Sequence, residues 1–143
     1  MADLVQTAAN VLKSSGNVAN VVAGETITQG MVLYKKSSDG EWYKADVDGT
    51  GSPTAETAGS GGLGIALNAA ANGQPIMIQQ DGEIDPGATA TEGVVYVASP
   101  AVDGSIAVYG DLSAADNDYV TIVGVGNSSG NIDLNLFASG AIL

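Results

Sequence analysis

Three carboxylates recur at alternate positions along one short stretch of the chain: Asp81, Glu83 and Asp85. Side chains at alternate positions of a β-strand point to the same side, so a strand here would present all three on one face. Paired carboxylates carry out the chemistry of most glycoside hydrolases. Such enzymes also hold sugar rings against aromatic platforms, which one Trp and five Tyr hardly supply. We therefore interpret this face as a solvated surface and predict no catalytic residues.

The sequence DVDGTG, from Asp46 to Gly51, resembles the first half of an EF-hand loop, in which oxygen ligands alternate and the sixth residue is Gly. The twelfth position, which carries a bidentate Glu in that motif, is Thr57, and Glu56 misses it by one residue. Neither flank has a helical pattern. We interpret the segment as a solvated turn, with weak Ca²⁺ binding as the alternative, and we predict no cofactor.

The chain contains neither Cys nor His. The absence of Cys excludes disulfides, thiolate catalysis and Cys-ligated metals, and the absence of His removes the commonest general base and metal ligand. Most enzyme mechanisms therefore lack their central residue in this chain. We expect a protein that is not an enzyme, and a carbohydrate-acting enzyme built on the acidic strand is the last of three functional hypotheses.

The charge balance is strongly acidic, with 16 Asp and Glu against four Lys and a formal net charge of −12. Nucleic-acid affinity depends on Lys and Arg that neutralise phosphates, and the only basic cluster is Lys35-Lys36 with Lys44 nearby. We expect no nucleic-acid partner. The N-terminal stretch has no continuous apolar core of the signal-peptide type, and no run approaches membrane-spanning length. We expect a soluble protein made in the cytoplasm, with no membrane partner.

From residue 18 onward, the chain consists of short runs rich in β-forming residues, separated by Gly, Asp, Asn and Ser. This spacing is typical of β-sandwiches and β-barrels. Asp39-Gly40 and Asp103-Gly104 each lie between two such runs, and Gly there tolerates the positive φ that tight turns require. We predict an all-β fold, a β-sandwich or β-barrel, with residues 18–143 forming a single domain.

An internal repeat divides this domain into two similar β units, residues 26–84 and 89–142. The first begins with TITQGMVLYKKSSDGEWYKAD at Thr26, and the second with TATEGVVYVASPAVDGSIAVYGD at Thr89. We expect the units to pack together and bury apolar surface that neither could bury alone. They differ most at residues 48–62, a Gly-rich loop that we interpret as a tolerated insertion, with a contact loop as the alternative.

Residues 1–17 carry the only helical signal in the chain. Their apolar side chains would fall on one helix face, but the run is short and ends at Ser-Ser-Gly. We predict an N-terminal arm, extended or partly helical. It is either a frayed terminus or a segment that becomes ordered on a partner. The candidate contact residues of the arm are Leu4, Val5, Val11 and Leu12.

Aromatic and basic residues cluster around the predicted turn at Asp39-Gly40. Trp42 and Tyr43 are adjacent, so alternation along a strand places one in the core and leaves the other more exposed. The cluster is either ordinary core packing with an exposed aromatic or a contact patch at an interface with another protein or subunit. The residues of this candidate interface are Tyr34, Lys35, Lys36, Trp42 and Tyr43.

The order of these segments resembles that of a group of small tailed-phage head proteins. The resemblance is carried by the start MADLVQTAANV, by VVAGETITQGMVLYKKSSDGEWYKAD, by the central GIALNAAANGQPIMIQQDGEI, by GATATEGVVYVAS and by the ending DYVTIVGVGNSSGNIDLNLFASGAIL. It covers nearly the whole chain. It lies in the composition and the order of the segments.

The resemblance to tailed-bacteriophage capsid decoration, or cement, proteins implies a structural protein on the outer capsid surface of the virion. Such a protein would bind the major capsid protein and itself, as a homotrimer, and stabilise the mature shell against the pressure of packaged DNA. The arm would then tether it to the shell. The alternative from another class is a head or tail fibre module, or an adhesin, that recognises a host glycan or protein.

Overall fold

A computed structural model of the protein describes residues 3–47, 62–113 and 118–142. None of these ranges contains a helix long and apolar enough to cross a membrane. Apart from two short 3-10 turns, Ala8–Asn10 and Tyr109–Asp111, their regular structure is β. The strands are β1 (Val11–Lys13), β2 (Val18–Val22), β3 (Val32–Lys35), β4 (Trp42–Lys44), β5 (Leu63–Ala66), β6 (Pro75–Gln79), β7 (Gly82–Pro86), β8 (Val95–Ala98), β9 (Ile106–Val108), β10 (Tyr119–Gly126) and β11 (Ile132–Ile142).

The strands form two antiparallel sheets that pack as a sandwich or half-barrel, which confirms the predicted fold class. The six-stranded sheet has the order β1-β7-β11-β10-β8-β9, and the five-stranded sheet has the order β2-β6-β5-β3-β4. Antiparallel neighbours need only short connections. The short Gly-, Asp- and Asn-rich segments between the apolar runs are therefore sufficient to join most of them.

The two halves of the chain use the same strand order. Strands β3 to β6 lie in the order β6-β5-β3-β4, and β8 to β11 lie in the order β11-β10-β8-β9. From β2 onward, the chain passes from the five-stranded to the six-stranded sheet near residues 80–81, whereas the sequence alignment extends the first unit to residue 84. The reason is that β7 pairs with β11 in the six-stranded sheet. Gly82 begins β7 with φ +81°, and a Cβ there would overlap the backbone carbonyl of Ser15.

Both predicted hairpins are present. β3 pairs with β4, and β8 pairs with β9. Gly40 has φ 72° in the first connection, and Gly104 has φ 82° in the second. Because a side chain would strain the backbone in this region, Gly is the residue that these turns need. The predictions made from Asp39-Gly40 and Asp103-Gly104 are confirmed.

Aliphatic side chains of both sheets share the main core. This cluster includes Val32 and Ile65 from the five-stranded sheet, and Ile84 and Val123 from the six-stranded sheet. A second cluster lies on the five-stranded sheet around Trp42. Burying a side chain such as Ile contributes roughly 1.5–3 kcal/mol. Each sheet therefore depends on the other for much of its stability.

The N-terminal segment is part of the β body. After one 3-10 turn, β1 pairs with β7, with Val11 opposite Pro86 and Lys13 opposite Ile84. Its extended backbone agrees with the predicted conformation of the arm, but the segment does not hang free. A helix of this length is only marginally stable, whereas the edge of β7 satisfies the backbone hydrogen bonds of β1.

Candidate functional site

The candidate interface predicted around Trp42 lies on the β3–β4 hairpin, at one edge of the five-stranded sheet. Tyr34 and Trp42 are buried. Tyr43 is half-buried and Lys35 is exposed. The prediction that Trp42 and Tyr43 divide between core and surface is confirmed, with Tyr43 the more exposed of the two. Of the aromatic residues in this candidate interface, only Tyr43 offers its ring to a partner.

The ring of Tyr43 is held in place by its neighbours. Its Oη donates a 2.6 Å hydrogen bond to Oδ2 of Asp39, whose Oδ1 accepts the backbone N–H of Glu41 at 2.9 Å. The Nζ of Lys36 lies 4.8 Å from the centroid of the Tyr43 ring, within the range of a cation–π contact. The ring of Tyr34 lies 6.2 Å away, centroid to centroid. An aromatic group fixed in this way loses little conformational entropy when it binds.

The hydrogen bond between Tyr43 and Asp39 couples their protonation. Donation by the Tyr43 hydroxyl, and then by the Glu41 N–H, lowers the pKa of Asp39. Acceptance by Asp39 raises the pKa of Tyr43 to about 12. Near neutral pH, Asp39 is a carboxylate and Tyr43 a neutral phenol. The pair therefore stabilises a surface feature and supplies neither a base nor a nucleophile.

Three of the four lysines of the chain lie in or beside this hairpin: Lys35, Lys36 and Lys44. The backbone N–H of Lys44 donates to Oε2 of Glu25 at 2.9 Å, and its Nζ lies 3.7 Å from Oε1. A partly exposed ion pair of this kind contributes little to stability. The hairpin therefore holds most of the lysines of the chain, and Asp39 and Glu41 within it and Glu25 beside it balance their charge.

The structure separates the four predicted contact residues of the arm into two pairs. Val11 is 4% exposed and belongs to the main core, against which Leu4 also packs. Val5 and Leu12 are 83% and 67% exposed. The expectation that all four share one docking face is corrected, because neighbouring side chains of an extended segment alternate between its two sides. Val5 and Leu12 alone are open to a partner.

Residues 3–13, called the N-terminal clamp below, join the two edges of the six-stranded sheet. The backbone N–H of Leu4 donates to the carbonyl of Ile106 in β9 at 2.8 Å. The N–H of Thr7 donates to the carbonyl of Gly87, just after β7, also at 2.8 Å. Strand β9 is one edge of this sheet, and β1 is the other edge, next to β7. The clamp therefore spans the gap between the two edges.

The clamp also attaches to the segment between β2 and β3, which leads into the five-stranded sheet. The Nε2 of Gln6 donates to the carbonyls of Pro86, at 2.9 Å, and Gly30, at 3.1 Å. The Nε2 of Gln29 donates to the carbonyl of Val11 at 2.8 Å. Neither glutamine belongs to a recognisable motif, so no local pattern predicts these bonds. Gln6 thus holds together two segments that come from different sheets.

Two of the three carboxylates around β7 organise the backbone near them. Asp81 accepts the backbone N–H of Asn17 at 2.6 Å and its side-chain amide at 2.9 Å, and these bonds lower the pKa of Asp81. Asp85 accepts the N–H of Gly87 at 2.9 Å. Both carboxylates therefore contribute to turns at the ends of β7.

The third carboxylate, Glu83, lies opposite Asp133 of β11, so two like charges face each other. The Nδ2 of Asn127 bridges them, donating to Glu83 at 2.8 Å and to Asp133 at 3.0 Å, and Asn131 donates to Glu83 at 2.9 Å. These amide hydrogen bonds lower the pKa of Glu83. The general acid of a glycoside hydrolase needs a raised pKa. The shift of Glu83 has the opposite direction, which disfavours acid catalysis on this strand.

The EF-hand-like segment is only partly described. Asp46 is buried after β4, whereas residues 48–61 lie outside the described ranges, with the rest of the motif and nearly all of the loop at 48–62. Within the described ranges, no group of three or more Asp, Glu, His or Cys side chains is placed to hold a metal ion. The calcium and contact-loop alternatives stay predictions.

An open groove of about 560 Å³ lies between the clamp and the six-stranded sheet. It is lined by residues 9–12 of the clamp, by residues 87–89 after β7 and by residues 129–131 between β10 and β11. Asp85 supplies the one charged side chain among its described lining residues. With a single carboxylate, the described lining offers no acid–base pair. The groove is a feature of the surface shape beside exposed Leu12.

No protein-family model matches the chain, and no curated protein matches it. The resemblance described from the sequence therefore stays a prediction.

Proposed function

We propose that the protein is a capsid decoration protein of a tailed bacteriophage, which binds the outer surface of the mature shell and cements it. The proposal includes the major capsid protein as the partner, self-association as a homotrimer, and a location on the outside of the virion. It includes no catalysis, no cofactor, and no nucleic-acid or membrane partner. Its support comes from the order of the segments and from the geometry of the N-terminal clamp.

The observation that carries the proposal is the clamp. A cement protein must transmit tension between capsid subunits without opening, and local opening begins where few backbone hydrogen bonds hold a strand. The clamp bonds to β9 through Leu4, to β7 through β1, and to Gly30 through Gln6. The clamp therefore holds both edges of the six-stranded sheet and also the segment that leads into β3 of the five-stranded sheet. A force applied to any of these parts is shared among them.

The use of the acidic groups also supports a structural role. Asp39, Asp81 and Glu83 accept hydrogen bonds within the body, and each has a lowered pKa. A net charge of −12 limits aggregation of the free protein. On a shell, several weak contacts act together, and each additional contact benefits from a high effective concentration. Binding can then be strong without an active site.

We assign the capsid contact to exposed groups at two places, the clamp and the β3–β4 hairpin. Val5 and Leu12 are exposed apolar side chains on a backbone that is already ordered, so docking them costs little entropy. Tyr43 is a fixed aromatic of a type enriched at interfaces, and Lys35 is an exposed cation that lies opposite Trp42, one position along the hairpin from Tyr43. Both places present rigid groups to a partner.

The test is to mix the purified protein with matured capsids that lack it, count the bound copies by sedimentation, and then heat both samples. We expect saturable binding and a raised rupture temperature. The double variant Val5→Asp, Leu12→Asp should bind at least about tenfold more weakly, because it puts charge on the docking side chains. The control Val95→Asp replaces another exposed valine, on β8, and should bind like the wild type.

The outcomes separate the functional classes. Absence of binding at micromolar concentration would contradict the cement function and favour a fibre or adhesin module, which predicts binding to host cells or glycan arrays. Binding without a rise in rupture temperature would retain decoration of the shell and reject its reinforcement. Equal weakening by Val95→Asp would reject the assignment of the contact to the clamp.

A further inference from the structure

One face of the five-stranded sheet carries exposed apolar side chains on two paired strands. Exposed and half-buried residues alternate along β2, so Val18, Asn20 and Val22 share its outer side. On β6, Pro75 and Met77 are exposed. The register places Met77 opposite Asn20 and Pro75 opposite Val22. These five residues form what is called the β2–β6 face below.

The β2–β6 face lies within two stretches of sequence that contain no charged residue, 14–24 and 57–80. The rest of the chain carries the net charge of −12, so two copies repel each other over most approaches. At one end the face reaches Asp81, whose carboxylate is engaged by Asn17. This face therefore lets two copies approach with the least repulsion between carboxylates.

We infer that the β2–β6 face is a self-association surface and that its occupant is the same face of a second copy. The outer side chains of β2 are Val18, Asn20 and Val22, so their order is the same in either direction along the strand, with Asn20 at the centre. A two-fold axis at Asn20 places Val18 of each copy against Val22 of the other. It also brings the two Asn20 amides together, each of which has a donor and an acceptor. Self-complementarity of this kind is what an isologous contact requires.

The contact buries apolar groups that the single chain leaves in water. Val18, Val22 and Met77 are 44%, 43% and 40% exposed. Strand β2 ends its sheet and contains none of the charges, lysines or prolines that protect many edge strands from association. Just after β2, Ala23 bridges to Trp42 of β4. Because this bridge places β4 beside the end of β2, we assign the second copy to the outer face of β2 and β6 and not to the strand edge.

The test is sedimentation equilibrium of the full chain over a concentration series. We expect a reversible monomer–dimer equilibrium that tightens with added salt, because salt screens the repulsion between two acidic copies. Asn20→Asp places a carboxylate at the centre of the face and should raise the dissociation constant at least about tenfold. Ser128→Asp adds the same charge at an exposed position between β10 and β11 and should leave the constant unchanged.

An isologous contact pairs two copies of the free protein, so it is distinct from the head-to-tail contact that the homotrimer of the proposed function would use on the shell, and the outcomes keep the two apart. A folded Asn20→Asp protein that is monomeric and still binds capsids would support the β2–β6 face as a contact separate from the capsid contact. A wild-type protein that stays monomeric at high concentration and high salt would overturn the inference, and the capsid experiment would still decide the cement function. A dimer or trimer unaffected by Asn20→Asp would also overturn it, since the contact would lie elsewhere.

Discussion

The side-chain amide of Gln79 donates a 2.7 Å hydrogen bond to the backbone carbonyl of Ser15, in the turn between β1 and β2. The same nitrogen lies 2.8 Å from the carbonyl of Asp81 and 2.9 Å from that of Glu83. Gln79 is fully buried at the point where the chain leaves the five-stranded sheet for the six-stranded one. One amide therefore fixes the crossing between the two halves.

Gln79→Glu should destabilise the protein by at least about 3 kcal/mol at neutral pH, because a buried carboxylate would face three carbonyl oxygens in place of a donor. Burial raises the pKa of the introduced carboxyl, so the loss should shrink as the pH falls and protonation restores a donor. The measurement is urea unfolding at neutral and mildly acidic pH. The control Gln80→Glu changes an exposed neighbour and should stay within about 0.5 kcal/mol of the wild type. Equal losses at the two positions would contradict the role of Gln79.

Val11→Ala should lower the free energy of unfolding by about 2 kcal/mol, because it removes buried carbon atoms from the main core and leaves a cavity. Leu12→Ala is the matched control, since its side chain is exposed on the next residue of β1, and should change stability by less than about 0.5 kcal/mol. Thermal or urea unfolding measures both. Similar small effects would mean that the clamp does not pack into the core in solution.

The sequence predicts the all-β fold and the two hairpins because their signals are local. Gly40 and Gly104 each follow an Asp between two β-forming runs, and their positive φ is required wherever such a turn occurs. The alternation of Asp81, Glu83 and Asp85 likewise indicates a strand, and β7 lies there. In each case, the residues that decide the structure are neighbours along the chain.

The clamp could not be predicted in the same way, because it depends on partners far away in sequence. The spacing of Leu4 and Val11 fits one face of a helix, whereas a continuous strand would put them on opposite sides. In the structure the 3-10 turn Ala8–Asn10 separates them, and both side chains contact the main core. What selects the extended form is the edge of β7, where Val11 pairs with Pro86. The bonds from Gln6 to Pro86 and Gly30 are equally non-local. Local sequence patterns therefore predict the strands of this protein better than they predict the N-terminal clamp that joins the edges of the six-stranded sheet.

Tyr43→Phe should remove a pH-dependent part of the stability. The raised pKa of Tyr43, about 12, means that its contribution is present below the ordinary tyrosine value near 10 and is lost as the pH rises toward 12. The lowered pKa of Asp39 means that its contribution is present above the ordinary Asp value of 3.8 and is lost as the pH falls through the folded-state pKa. Thermal midpoints of wild type and variant should therefore differ most between these limits and converge outside them.

The control for this experiment is Tyr109→Phe, which alters another exposed tyrosine, in the 3-10 turn after β9. Its difference from the wild type should not depend on pH in the same window. A spectrophotometric titration gives an independent readout, because one phenol of the wild type should ionise near 12 and this late step should disappear in Asp39→Asn. A constant difference between Tyr43→Phe and wild type at all pH values would show that the hydrogen bond does not form in solution.

Gly126→Ala should be strongly destabilising, although Gly126 lies in the regular strand β10. A Cβ at this position would overlap the backbone carbonyl of Thr91, in the connection between β7 and β8, and backbone atoms cannot move aside as a flexible side chain can. We expect a loss of about 2–3 kcal/mol, typical of overpacking. Gly110→Ala is the control, because nothing lies within 4 Å of a Cβ built there. It should leave the urea midpoint nearly unchanged, and an equal loss at both glycines would show that the close approach to Thr91 does not explain the effect.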